Sequence, residues 1–339
     1  MSADTVINDD VALAQRLRMG MGLVRTELAR RIVGQEEALD QVLLTLLVGG
    51  NSIITGVPGL AKTLIIHTMA QTLDLKFSRI QFTPDLMPSD ITGTDIIQES
   101  AEGRRSLVFS PGPVFANVVL ADEINRTPPK TQAALLEAMQ ERRVTVQGRT
   151  FALEAPFFVF ATQNPIELEG TYPLPEAQLD RFMFDIVIDH LPEEQEMEVI
   201  RRTTIIDTIH FVPSLGAKDI VEFQKLVRRV PVAEDVIRYA VRLVRLTRPL
   251  EPLALDFVKN WIEYGASVRA AQYLVLGGKA RALMLGRAHV GFDDIRALAK
   301  PVLRHRLLRT FAAESARITT DTIVERLLEK APIPSSNLR

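Results

Sequence analysis

The run Ser52-Ile53-Ile54-Thr55-Gly56-Val57-Pro58-Gly59-Leu60-Ala61-Lys62-Thr63 reads as a short apolar strand, a glycine-punctuated turn and the opening of a helix that continues to about Leu73. A loop that cradles phosphate needs backbone N–H groups turned inward, a lysine for the β and γ phosphates, and a hydroxyl for Mg2+. It must also open a helix, so that the helix amino terminus faces the anion. Gly56, Val57, Pro58, Gly59, Leu60 and Ala61 supply the backbone, and Lys62, Thr63 and Leu64 begin the helix. Ala61 stands where the usual pattern has glycine, and alanine is the smallest replacement. A plain strand–turn–helix with a surface lysine is the alternative on these residues alone.

Two further strand ends strengthen the phosphate reading. Val118-Val119-Leu120-Ala121-Asp122-Glu123 is an apolar strand closed by two carboxylates, 60 residues after Lys62. In such folds one carboxylate orders the magnesium and its neighbour polarises the attacking water. Adjacent strand residues point opposite ways, but a turn at the strand end lets both reach one place. Phe160-Ala161-Thr162-Gln163-Asn164 is a third apolar strand with a polar end. Asn164 could stand between the other two and hold the water or the γ phosphate; a turn-forming asparagine before Pro165 is the plainer account.

Short apolar strands alternating with helices, such as the stretch from Lys130 to about Gln140, imply an α/β unit with a parallel sheet covered on both faces. Residues 10–48 read as helical, with Val11, Ala14, Leu17 and Met21 at spacings of three and four. Two hairpins interrupt this unit. Ile96-Ile97-Gln98 and Leu107-Val108-Phe109 flank a polar turn containing Gly103, and Val144-Thr145-Val146 and Thr150-Phe151-Ala152-Leu153 flank Gln147-Gly148. From about Leu215 the pattern is helices only. A boundary near 205–217 divides the chain into an α/β domain, 1–212, and a helical domain, 213–339.

At 339 residues the chain has length for about two domains. The absence of cysteine excludes disulfides, thiolate metal sites, Fe–S clusters and a cysteine nucleophile. No apolar run reaches the ~18 residues a membrane span needs. Asp4, Asp9 and Asp10 stand where a signal peptide would be basic and then apolar, so a cytoplasmic protein is expected. The histidines at 67, 190, 210, 289 and 305 show no ligand spacing, which leaves magnesium as the expected metal. Charge is unevenly placed. Residues 1–220 carry 19 basic and 30 acidic side chains, net −11, whereas 221–310 carry 17 and 8, net +9. Such polarity suits nucleic-acid binding, or two oppositely charged parts of one chain that meet.

At the three strand ends the chain resembles the AAA+ ATPases, and more narrowly the MoxR group. The resemblance extends over Ala121-Asp122-Glu123-Ile124-Asn125-Arg126, Ala161-Thr162-Gln163-Asn164-Pro165 and Leu174-Pro175-Glu176-Ala177-Gln178-Leu179-Asp180-Arg181-Phe182. In the second domain it includes Gly265-Ala266-Ser267-Val268-Arg269-Ala270, where Val268 departs from the expected proline, and Val302-Leu303-Arg304-His305-Arg306-Leu307. It implies a three-layer αβα core followed by an all-α lid, with ATP and Mg2+ as cofactors. It further implies that Lys62 and Thr63 bind phosphate and metal, Asp122 orders the metal and Glu123 activates water. Asn164 resembles the first sensor. Arg269 resembles the second, reaching from the lid to the γ phosphate. Arg181 resembles an arginine finger acting on a neighbouring subunit's nucleotide. Val33 and Gly34, within Ile32-Val33-Gly34-Gln35, lie where this superfamily packs the adenine, and the hairpins match the inserts of the helix-2-insert branch, which face the pore or the substrate.

Each arginine also has a duller account. Arg181 could form a local pair with Asp180, worth little at a surface. Arg269 sits at a helix start, where the dipole disfavours cations, so an anionic ligand explains it better. Arg126 facing a subunit interface remains equally open. Glu193, Glu194, Glu196 and Glu198 read as an acidic first helical turn. The resemblance points to a homo-oligomeric ring, a hexamer, that remodels protein clients, often proteins carrying a von Willebrand factor A domain. A nucleic-acid motor is the competing function, supported by the basic lid. Against it stand the lack of a zinc finger or helix-turn-helix signature and an aromatic content of 6% with one tryptophan. An ATP-sensing switch with little turnover is a third, which intact Glu123 and Arg181 argue against.

Overall fold

The computed structural model describes residues 3–99, 105–164, 170–204, 211, 213–252 and 254–333, with side chains from residue 9. The strands, in chain order, are β1 Ser52–Thr55, β2 Phe77–Gln81, β3 Gly93–Glu99, β4 Arg105–Pro111, β5 Val118–Asp122, β6 Arg143–Val146, β7 Arg149–Ala152, β8 Phe158–Gln163, β9 Asp185–Val187, β10 Ile262–Tyr264 and β11 Leu308–Arg309. Five of them form one parallel sheet in the order β2-β5-β8-β1-β9. β5 and β8 are buried along nearly their whole length, as apolar runs covered on both faces require. Edge strand β2 is different: Ile80 enters the core while Arg79 and Gln81 stay exposed. β8 separates β1 from β5, so the carboxyl ends of all three open onto one crevice. Open α/β sheets bind ligands at such a reversal of strand order.

The expected helix over 10–48 is two helices, Ala3–Arg31 and Glu36–Val48. They break at Ile32–Gln35, where Gly34 (φ 65°) and Gln35 (φ 56°) both adopt left-handed backbone. Leu17, Met21, Val24 and Leu28, spaced three and four apart, bury the first helix against the core. Both hairpins form. β3 pairs with β4 and β6 with β7, the latter through Gln147 and Gly148 at φ 47° and 78°, as a tight two-residue turn requires. The turn containing Gly103 lies outside the described residues. The hairpins dock on each other: the Phe109 and Phe151 rings stack at 4.1 Å and Arg149 pairs with Asp95 at 2.5 Å.

The second domain is mainly helical, built around Ala217–Arg229, Glu234–Arg245 and Val268–Met284. It also holds the antiparallel pair β10–β11, which corrects the expectation of helices only. Residues 205–210 and 212, at the expected boundary, lie outside the described residues, as does His210. The two parts share one continuous core, in which Leu43, Met183 and Phe184 pack with Phe223, Leu274 and Leu298. Part of the lid's positive charge meets acids of the first domain, as in Arg229–Asp10 at 2.6 Å, and part stays inside the lid, where Arg281 and Arg287 both hold Asp294. Among the described residues no helix is long and apolar enough to cross a membrane.

Asp185 of β9 lies beside Thr55, the last residue before the phosphate-type loop, and accepts a 2.7 Å bond from its hydroxyl. Burial pushes its carboxyl up from 3.8 to about 6, against the pull of the Thr55 bond and Arg304. A carboxyl raised on folding contributes fully below its unfolded value and loses that contribution as pH rises through its folded value. Asp185→Asn, which keeps an acceptor for Thr55, should therefore stabilise the protein at pH 7.5–8 by on the order of 1–3 kcal/mol. The advantage should shrink as pH falls from about 6 towards 4. Thermal unfolding across this range checks the prediction; a gain independent of pH would contradict it.

Candidate functional site

The loop leaves β1 and enters helix Lys62–Thr72. Gly56 is required by space: a Cβ there would come within 2.6 Å of the Ile188 carbonyl oxygen. Gly59 is required by conformation, at φ 85°. Ala61 also lies in the left-handed region, φ 61°, so the residue in glycine's usual place keeps glycine's backbone. Lys62 Nζ donates back to the Gly56 carbonyl and, at 3.5 Å, to that of Gln163, so the lysine spans the mouth of the loop. Among the described residues the Thr63 hydroxyl has no hydrogen-bond partner. Leu60 and Leu64 pack partly into the core and anchor the loop from below, while Val57 and Pro58 complete its course.

Beside the loop, β5 ends in Asp122, which is buried, and the chain then turns through Glu123 at φ 57°. Side chains of β2 reach both consecutive carboxylates across that left-handed turn. Thr162 of β8 fixes the turn, its hydroxyl donating to Asp122 Oδ1 at 2.6 Å and accepting the Glu123 N–H at 2.8 Å. Asn164, buried, follows the end of β8 between the acids and the loop. Arg126 pairs with Glu123 at 3.0 Å. Sequence reasoning missed three residues here: Thr162, and Arg79 and Gln81 of β2, which donate to Asp122 and Glu123 respectively. For Thr162 a signal existed, a hydroxyl within a strand otherwise buried and apolar. For Arg79 and Gln81 there was none, because their strand reads as polar. On the loop's other side, Gln35 Nε2 donates to the Asp189 carbonyl at 2.6 Å, which ties Val33 and Gly34 to the chain following Ile188 and so to Gly56.

Arg181 and Arg269 lie elsewhere. The Met183 N–H bonds the Asn51 carbonyl at 2.6 Å, at the amino end of β1, whereas the loop leaves its carboxyl end. At ~3.3 Å per residue, positions 51 and 56 are roughly 16 Å apart. Arg269 does not reach its own chain's loop in this arrangement: its Nη1 donates to Asp180 at 2.7 Å, beside Arg181. Asp180 therefore pairs with Arg269 rather than with its neighbour in sequence, and it also takes Ser267 Oγ (2.9 Å) and Arg306 Nε (2.9 Å). Arg181 and Arg269 line a cleft of about 710 Å³ with Arg142, Arg228 and Lys279. Burial and Arg228 push the Lys279 ammonium down, as expected where cations crowd together. The buried Arg181 Nε has no hydrogen-bond partner among the described residues. This is a strongly positive recess.

Residues 51–184 match the family model described as "ATPase family associated with various cellular activities (AAA)", and residues 257–327 match the AAA lid domain. The chain is 43% identical over 311 residues to Chaperone MoxR1 of Mycobacterium tuberculosis, covering 92% of this chain and 81% of that one. The chain belongs to the MoxR family of AAA ATPases. It is also 28% identical over 330 residues to Protein MoxR of Methylorubrum extorquens, over 91% of this chain and 93% of that protein. A solved structure of a candidate ATPase from Cytophaga hutchinsonii superposes with a TM-score of 0.90 at 41% identity, over 97% of this chain and 99% of that one. The α/β core with a helical lid is thus the family's architecture, and the phosphate-type loop lies within the residues that match the AAA model.

Thr162 can be tested without nucleotide. Thr162→Val keeps the shape of the side chain but leaves the Glu123 N–H without its acceptor and the Oδ1 of Asp122 without the Thr162 donor. The nucleotide-free protein should lose about 1–3 kcal/mol, read from denaturant unfolding with native helical signal. Unchanged stability would show that the turn after β5 does not depend on this hydroxyl.

Proposed function

We propose that this chain hydrolyses ATP at a site completed by a second copy of itself and uses the cycle to remodel or activate protein partners. The observation that carries the proposal is the separation of Lys62 and Arg181 to opposite ends of β1, which leaves each half of the machinery incomplete. In this reading, loop residues 56–61 and the amino end of the following helix bind the phosphates by backbone N–H groups, and Lys62 spans the β and γ phosphates. Val33 and Gly34 pack the base. The donor set available to a metal, one threonine hydroxyl and one carboxylate beside phosphate oxygens and water, suits Mg2+. Thr63 and Asp122 would hold it, and bound Mg2+ would neutralise charge on the phosphates. Glu123 accepts the proton of the attacking water, and Asn164 holds that water or the γ phosphate.

The expectation for Arg269 is revised. Its bond to Asp180 puts it in the Arg181 cleft, so we assign both arginines to the nucleotide of a neighbouring copy. A triphosphate carries charge complementary to the arginines and lysine that line this cleft. Such an arrangement is head-to-tail, the kind of contact that generates a closed ring when the rotation closes, and a hexamer is the expected form. The name Chaperone MoxR1 of the relative supports work on protein clients, with von Willebrand factor A domain proteins as candidates. The tying of several lid cations to Asp10, Asp180 and Asp294 weakens the case for a nucleic-acid motor.

Lys62→Ala should abolish nucleotide binding, while Glu123→Gln should bind MgATP and lose turnover. Arg181→Ala should also bind and lose most turnover, since a fixed guanidinium at the γ phosphate contributes about 10³–10⁵ in rate in other NTPases. Mixing Glu123→Gln with Arg181→Ala creates some sites with an intact acid and an intact neighbouring arginine. Activity should then reappear and rise with protein concentration. Failure to recover despite demonstrated subunit exchange would sink the shared site.

A further inference from the structure

Both acids that close β5 are gripped by the adjoining edge strand. Arg79 donates to Asp122 Oδ2 from Nε at 3.0 Å and from Nη2 at 2.6 Å. The same Nη2 donates to Gln81 Oε1 at 2.6 Å, and Gln81 Nε2 donates to Glu123 Oε2 at 2.7 Å. Residues 79 and 81 are two apart on one strand and so face the same side. The parallel register, which sets Gln81 beside Asp122, keeps both within reach. Thr162 already occupies the other Asp122 oxygen. A continuous hydrogen-bonded chain therefore runs from Asp122 through Arg79 and Gln81 to Glu123.

The two ends of the Arg79–Asp122 pair differ in exposure: the arginine side chain is 50% exposed and the aspartate 10%. A buried carboxylate without a cation is costly, and Arg79 supplies one. Being half in water, the guanidinium can swing out at little cost. It cannot stay on Oδ2 beside a divalent cation, because like charges at such range repel strongly. Resting on the reading that Asp122 orders magnesium, we propose that Arg79 is a positioning residue that keeps the metal's place on Asp122. Arg79 leaves the carboxylate when MgATP loads.

Mn2+ binding in the presence of saturating ADP, read by the electron paramagnetic resonance of free Mn2+, tests this without turnover. Arg79→Gln should bind Mn2+ about five- to tenfold more tightly than the wild type, since the competing cation is gone. Arg79→Lys, which keeps the charge but loses the paired N–H fork, should fall between them. Gln81→Ala should leave Mn2+ affinity within about twofold, because Arg79 still holds Asp122. Loss of a merely structural pair would weaken the metal site, so a gain in affinity is diagnostic. Unchanged or weaker Mn2+ binding in a folded Arg79→Gln or Arg79→Lys protein that still binds ADP overturns the proposal. Failure of the wild type to bind ADP at all would instead overturn the underlying nucleotide assignment.

Discussion

Parallel strands cannot be joined by tight turns, and each crossover in this chain returns to start the next strand at the same edge of the sheet. All five carboxyl ends consequently point one way. With β8 inserted between β1 and β5, the phosphate-type loop, Asn164 and the Asp122–Glu123 pair become neighbours although about a hundred residues separate the first from the last in sequence. The crevice needs little help from side chains to exist; it follows from strand order and burial. Thr162 then does the fine positioning, and it can do so because its own strand is locked between two others.

The amino edge of the same sheet is organised by a different interaction. Arg306 is buried, its guanidinium bonding the carbonyls of Asp180 and Met183 and the Asp180 carboxylate, with the Tyr273 ring 5.3 Å away. Burial pushes its pKa down only to about 10, so the group stays charged at neutral pH. This buried cation fastens the lid to the turn that carries Arg181. Removing either partner would strand a charge in the interior, which is why such pairs hold geometry more reliably than they add stability. Arg269 reaches the same carboxylate and is oriented by the same fastening. Lid position and arginine placement are therefore a single variable.

Much of this was legible beforehand, for physical reasons. β5 and β8 announce themselves as apolar runs because both faces are buried, and the loop carries its backbone demands in Gly56 and Gly59. What escaped was whatever depends on neighbours in space. Phe77-Ser78-Arg79-Ile80-Gln81 shows no apolar run because an edge strand buries only alternate residues, and β9 is just Asp185–Val187. The gap between the first two helices rests on backbone at Gly34 and Gln35 that spacing alone does not show. Arg269 was recognisable as a motif residue, yet its destination is set by Arg306 and Asp180 across the domain boundary. The residues 165–169 that follow Asn164 lie outside the described part of the chain.

The two edges make opposite electrostatic demands. At the carboxyl edge Asp122 and Glu123 are satisfied within the chain by Arg79, Gln81 and Arg126. At the amino edge, Asp180 balances Arg269 and Arg306, but it cannot also balance Arg142, Arg181, Arg228 and Lys279 around the same cleft. A site whose acids are already matched by cations and a cleft that is positive become complementary only once a polyanion enters the first. Nucleotide at the loop would thus generate the charge that draws the cleft of the next copy, which makes association of the proposed ring depend on loading rather than on a permanently matched surface. The exposed apolar side chains of Leu250, Tyr264 and Val268 flank the segment that leads into Arg269. They offer contact area that carries no charge of its own, so the sign of the central charge can decide when two copies engage.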